Sequence, residues 1–191
     1  MKTETKKEVG KIVKLLKSGA VIVYPTDTIW GIGCDATNTE AIKKLIRIKK
    51  RPRGKSMLLL ADHISLAEMY TENIPDAAQS IAEESIEPIT IIYPKGKNLA
   101  KEVLAEDESI GIRITEDPFC QLIIQQLNRP IVSTSANISG EKAPTQFSEI
   151  SKVLIDKVDY VANHRRQEIL KNKPSSIIKI SDSNEVTILR K

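Results

Sequence analysis

Apolar residues recur at helical spacing at Val9, Ile12, Val13, Leu15 and Leu16, and Gly19 stops that pattern before the β-branched run Val21-Ile22-Val23. This predicts a helix leading into a buried strand. A second helical face is carried by Ile42, Leu45, Ile46 and Ile48, with Thr39 placed to cap its start and a basic stretch at its end before Pro52. Residues 57–60 predict a strand, residues 75–81 part of a helix, and residues 89–93 a strand bounded by Pro88 and Pro94. Residues 110–114 are a further strand candidate. Asp117 followed by Pro118 suits the N-cap and first turn of a helix through Leu127, after which Pro130-Ile131-Val132 runs as a strand into a polar cluster. Residues 147–155 read as helix, and strands at 176–180 and 186–189 close the chain. Helices and strands interleaved in this way predict an α/β domain with about seven strands and no internal repeat.

Composition narrows the class. With 191 residues, 40% of them hydrophobic, the chain is expected to form one domain over residues 1–191 with a core of its own. A formal net charge of +4 permits attraction to phosphate or nucleic acid without requiring it. Cys34 and Cys120 lie far apart and form no Cys-x-x-Cys pair, which argues against a zinc site or a disulfide framework and for a reducing, cytoplasmic compartment. Residues 1–11 are charged and lack the apolar segment of a secretion signal, and no apolar run approaches a bilayer-crossing length, so no membrane association is expected. The sequon Asn137-Ile138-Ser139 carries no weight in a protein that is not exported.

Three polar clusters change this picture. Tyr24-Pro25-Thr26-Asp27-Thr28 and Ser133-Thr134-Ser135-Ala136-Asn137 place hydroxyls and an amide beside probable strand ends, and six of the nine residues at 47–55 are Lys or Arg. Each has an ordinary reading, as a turn, a strand end, or a helix end complementing its dipole. Together they suggest an anion-binding pocket, with Lys49, Arg51 and Lys55 converging on polyphosphate oxygens while Ser135 and Asn137 hydrogen-bond the ligand. Gly54-Lys55-Ser56 resembles the end of a P-loop, but Lys49 stands where the first glycine is needed. Gly31-Ile32-Gly33 lacks the third glycine of a dinucleotide fingerprint, with Ala36 in its place, so these glycines predict a tight turn or close backbone packing. His63 and His164 sit in no triad motif and suit surface or helix-end positions, and Asp27 and Asp35 suit caps better than metal ligands. Cations and hydroxyls with few bases point to chemistry by positioning and charge neutralisation, as in transfer at phosphorus.

The clusters, together with Trp30-Gly31-Ile32-Gly33, Lys49-Lys50-Arg51-Pro52 and Ile138-Ser139-Gly140, resemble the YrdC-like threonylcarbamoyl-AMP synthase family in its short, single-domain form. The resemblance runs from about the first helix to Ile188-Leu189-Arg190. It implies an α/β fold, a twisted mixed β-sheet with flanking helices around a positively charged cavity. It implies an enzyme that condenses L-threonine, bicarbonate or CO2, and ATP into threonylcarbamoyl-AMP and pyrophosphate for tRNA threonylcarbamoyladenosine modification. Mg2+ would arrive with ATP, and no residue is assigned to a metal. By the resemblance, Lys49, Arg51 and Lys55 would be catalytic and hold ATP phosphates, with Thr90, Ser135, Asn137 and Arg190 also binding ATP. Thr26, Arg113, Ser133 and Ser175 would surround the threonine. Partners would be downstream tRNA threonylcarbamoyl-transferase proteins, with contact to tRNA or duplex RNA.

Thr134 departs from a Pro common in the family, Leu60 stands where some larger relatives have His, and with Lys191 last the additional C-terminal domain of the long form is expected to be absent. The competing expectation is a duplex-RNA or tRNA-binding module that uses the same basic cavity without adenylating activity. Aromatic residues make up 4% of the chain, too few for an obvious base-stacking platform.

Overall fold

The computed structural model describes residues 3–52, 57–169 and 174–191. Helix α1 (Thr3–Lys17) buries Val9, Ile12, Val13 and Leu16, the stripe its sequence spells. Gly19, at φ +86, closes the helix while the Gly19 and Ala20 N–H groups bond back to Leu16 and Leu15 carbonyls. Ile12 and Leu16 are fully buried, each worth ~1.5–3 kcal/mol of apolar burial.

Strands β1 (Ile22–Tyr24) and β2 (Gly31–Asp35) follow, then helix α2 (Thr39–Lys49). The α2 cap is Asn38, one residue before the expected Thr39: its backbone is extended, and its side-chain oxygen accepts the Ala41 N–H at 3.0 Å. After β3 (Leu58–Ala61) come α3 (Ile64–Glu68), α4 (Asp76–Glu84), β4 (Ile89–Tyr93) and β5 (Ile110–Ile114). Helix α5 (Pro118–Leu127) starts as expected, with Asp117 Oδ1 accepting the Phe119 and Cys120 N–H groups. Strand β6 (Ile131–Ser135), helix α6 (Lys152–Ile155), and strands β7 (Tyr160–Val161), β8 (Ser176–Ile180) and β9 (Val186–Arg190) complete the fold.

The strands form one nine-stranded sheet in the order β7-β1-β2-β6-β3-β5-β4-β8-β9. Pairs β1–β7, β3–β5 and β4–β8 are parallel and the rest antiparallel, so the sheet is mixed. Helices α1 and α2 pack on β2, α3 and α5 on β3, and α4 on β4. The two strands beyond the seven expected are β2 and β7. β7 is two residues long, too short for any pattern to show. In β2, glycine's weak strand preference is overridden by pairing on both sides. The close backbone packing expected of these glycines is real at Gly33, where a Cβ would lie 1.8 Å from the Val132 carbonyl oxygen.

Residues 147–155 do not form one helix. A 3₁₀ turn at Phe147–Glu149 gives way to extended backbone at Ile150 before α6 begins. The Phe147 ring is held between Trp30, at 5.3 Å between centroids, and the Arg166 guanidinium at 4.7 Å, which fixes the chain out of helical register. Both cysteines are free and buried. Among the described residues no helix is long and apolar enough to cross a membrane.

Candidate active site

Strand alternation selects the face that carries the site. Ser133 pairs with Leu58, Leu58 with Gly111 and Gly111 with Ile92. Beside that row, Thr90 pairs with Ile177 and Ile177 with Arg190, while Gly31 lies opposite Ser135. Directly paired residues share a face of the sheet, so these side chains project to the same side. They line an open cavity of about 300 Å³, together with Thr26, Thr28, Arg51, Arg113 and Ser175. Glycine at two floor positions keeps it open: a Cβ on Gly31 would stand 3.2 Å from Ser133 Oγ, and one on Gly111 3.4 Å from Thr90 Cγ2.

Arg51, Arg113 and Arg190 enter this lining, and no carboxylate does among the described residues. Burial lowers the pKa of Arg51, and burial followed by the nearby Arg113 charge lowers that of Arg190. Arginine keeps its proton through such shifts, so an anion entering the cavity would relieve the repulsion.

A second cavity, of about 400 Å³, adjoins the first and shares Arg51, Thr134 and Ser135 with it. Lys49 and Asn137 belong to its lining. The Lys49 ammonium is buried and donates to the backbone carbonyls of Ser135 at 2.5 Å and Asn137 at 2.8 Å. The Ser139 N–H in turn bonds to the Lys49 carbonyl, so the end of α2 and the loop after β6 are tied together. Burial pushes the Lys49 pKa down to about 8, assisted by the Arg51 charge and opposed by Glu141. Asn137 donates to the Ile138 and Glu141 carbonyls, while its Oδ1 is buried with no hydrogen-bond partner among the described residues.

The threonine cluster forms a closed turn. Thr26 Oγ1 accepts the N–H groups of Thr28 and Ile29 at 3.1 and 3.2 Å and donates to the Ile29 carbonyl at 2.7 Å. Arg113 Nη1 donates to Thr28 Oγ1 at 3.1 Å, and Thr28 Oγ1 stands 3.0 Å from Thr26 Oγ1. A hydroxyl chain therefore leads from Arg113 into the turn. Across the cavity, Thr90 Oγ1 and Ser175 Oγ are hydrogen-bonded at 2.8 Å, and Arg190 donates from Nε and Nη2 to the Ser175 carbonyl.

Of the residues singled out from the sequence, Thr26, Arg51, Thr90, Arg113, Ser133, Ser135, Ser175 and Arg190 meet in the main cavity, and Lys49 and Asn137 in the adjoining one. Lys55 lies outside the described residues. Sequence reasoning missed Thr28, Gly31 and Gly111 as lining residues. The first two sit inside motifs already marked, and Gly111 stands two positions before Arg113 on the same strand face. Nothing in the sequence signals Ala143, which the fold brings to the lining.

His63 is exposed at the start of α3, beside Asp62, and His164 stacks on Phe119 at 4.4 Å between centroids; neither lines the cavity. Asp35 accepts from the Thr37 N–H and hydroxyl in the turn before α2, and Asp27 pairs with Arg113. No group of three or more His, Cys, Asp or Glu among the described residues is placed to hold a metal ion.

Comparison with known proteins gives the family and the fold. The Sua5/YciO/YrdC family model, which carries the description "Telomere recombination", matches residues 14–191. A threonylcarbamoyl-AMP synthase of Psychromonas ingrahamii is 37% identical over 149 residues, covering 76% of this chain and 78% of that protein. The protein of the same name from Vibrio campbellii is 32% identical over 193 residues, covering 96% of this chain and 98% of its own length. The crystal structure of P. abyssi Sua5 complexed with L-threonine superimposes with a TM-score of 0.87 at 22% identity, over 100% of this chain and 55% of that one. This chain thus spans about half of that Sua5 chain, and the likeness there is one of fold. With a family model matched over nearly its whole length and relatives aligned over most of theirs, the chain belongs to the Sua5/YciO/YrdC family.

Proposed function

We propose that this chain is an L-threonylcarbamoyladenylate synthase, acting as a single domain over residues 1–191. The observation that carries the reading is a cavity lined by three arginines and several hydroxyls, with no carboxylate among the described residues, adjoining a second cavity built around Lys49 and Asn137. Together they have the size of a site for a nucleotide and a small co-substrate. The relatives named above bear the same activity in their names, and the Sua5 structure was solved with L-threonine.

In this reading Arg51, standing in both cavities, neutralises ATP phosphates together with Lys49 and Lys55. Ser135, Asn137, Thr90 and Arg190 hold the nucleotide. Thr26, Arg113, Ser133 and Ser175 surround the threonine. The threonine amine and CO2 give a carbamate with loss of a proton. A carbamate oxygen then attacks the α-phosphorus in line, forming the new P–O bond as the bond to pyrophosphate breaks. No side chain serves as nucleophile. The arginines offset charge on the phosphates and on departing pyrophosphate, and Ile29, Met57 and Ile92 supply apolar wall beside them. Mg2+ would enter as part of the ATP substrate, on phosphate oxygens. A cytoplasmic location and delivery of the product to tRNA threonylcarbamoyl-transferase proteins belong to the same proposal.

The test is pyrophosphate release from ATP and bicarbonate, with and without L-threonine, alongside mass detection of the adenylate. Wild-type protein is expected to show threonine-dependent release, and Arg51→Ala to lose it by about 100-fold or more while remaining folded. Folded protein that yields no adenylate, and binds duplex RNA with a steep salt dependence, would overturn the synthase reading.

A further inference from the structure

Asp27 belongs to the threonine-rich turn, yet its carboxylate turns away from the cavity. Arg113 Nη2 stands 3.1 Å from Asp27 Oδ1, and the Thr115 hydroxyl donates to Asp27 Oδ2 at 3.2 Å. On its other arm Arg113 donates to Thr28 Oγ1 at 3.1 Å. The guanidinium thus donates a hydrogen bond from one terminal nitrogen and stands within ion-pair distance of a carboxylate at the other. Its Nε is buried without a hydrogen-bond partner among the described residues, on a side chain that lines the main cavity.

Asp27 itself lines a different, smaller cavity of about 110 Å³, with Ile89, Ile91, Ile112 and Ile114. Strand alternation sorts the two: Thr90, Ile92, Gly111 and Arg113 face the main cavity, and the four isoleucines face the other side of the sheet. Asp27 therefore holds Arg113 from behind. An arginine beside Arg190, in a lining with no carboxylate among the described residues, would otherwise be repelled and could swing. Fixing its fork in advance reduces the ordering cost of each hydrogen bond it later makes.

We propose that Asp27 is a positioning residue for the amino-acid substrate: with Thr115 it sets the Arg113 guanidinium so that its Nε edge meets the substrate carboxylate in the main cavity. This rests on the synthase reading above. The pair also explains an acid in a motif whose neighbours are all hydroxyls. Removing one partner of a buried charge pair leaves the other both uncompensated and free to reorient.

Asp27→Asn keeps the side-chain shape and removes the charge. Its KM for L-threonine is expected to rise about tenfold or more, with kcat and the KM for ATP within about twofold of wild type, and Asp27→Glu should recover part of the loss. The Arg113 Nε–H resonance, assigned by its absence in Arg113→Lys, should shift in Asp27→Asn. If Asp27→Asn does not fold, Thr115→Val loosens the same carboxylate and should raise the threonine KM to a smaller extent. A threonine KM unchanged in the folded variant, or ATP and threonine affected equally, would overturn the proposal. So would an Arg113 resonance that does not move. Wild-type protein without threonine-dependent release would sink the synthase reading instead, and the Arg113 resonance would still decide whether Asp27 orients that side chain.

Discussion

Lys49 carries a charge that its surroundings resist. Its ammonium is buried against two carbonyls and near Arg51, and burial is the main reason its pKa falls to about 8 from the ordinary lysine value of 10.5. The unfolded chain thus binds more protons at this group between those two values, so its contribution to stability rises with pH across that window. The penalty relieved is about 3 kcal/mol. Neutral Lys49 can still donate to both carbonyls, so deprotonation removes charge before it removes structure. Accordingly ATP affinity should weaken as pH rises from about 7 to about 9, and Lys49→Met should bind ATP more weakly with that pH dependence reduced. Calorimetric titration at both pH values checks this; a wild-type Kd constant across the range would remove Lys49 from phosphate binding. The basic cluster was legible in the sequence as a set of cations. That Lys49 is a buried one was also there to be read, because it follows Ile42 and Leu45 at helical spacing on the apolar face of α2.

Elements begin and end where local chemistry says, provided the capping group is identified. Asp117 serves α5 twice: Oδ1 accepts two helix N–H groups, and Oδ2 pairs with Arg165, which is itself held by Glu168. Asp117→Ala should therefore cost more than a simple cap, about 2–4 kcal/mol, since it also strands a largely buried arginine. Urea unfolding of the variant tests this, and a loss below about 0.5 kcal/mol would show that neither bond stabilises the fold. At α2 the cap moved from Thr39 to Asn38 because both residues suit the role and only the backbone angle chooses between them. β2 escaped notice because glycine is a poor strand former, and because the contact that demands glycine, with the Val132 carbonyl, lies about a hundred residues away.

The site exists only in the assembled molecule, because its lining comes from the β1–β2 turn, from the chain after α2, and from β2, β3, β4, β5, β6, β8 and β9. A ligand that needs all of them binds the folded state alone. ATP with L-threonine at about 100 times their dissociation constants should raise stability by about 2.7 kcal/mol each, a shift of several degrees in Tm. Thermal unfolding with and without ligands measures it, and a Tm unmoved by saturating ATP would argue against nucleotide binding here. Helix stripes, helix stops, most strands and the polar motifs could be read along the chain, since each depends on the spacing of near neighbours. The motifs also carried the family resemblance, because they stand as short runs of residues. Strand order, the two added strands, the division of Thr90 and Arg113 from Ile91 and Ile112 into separate cavities, and the grip of Asp27 on Arg113 depend on pairing between distant segments. Alternation along a strand says which residues share a face, but only packing of the whole sheet says what that face meets.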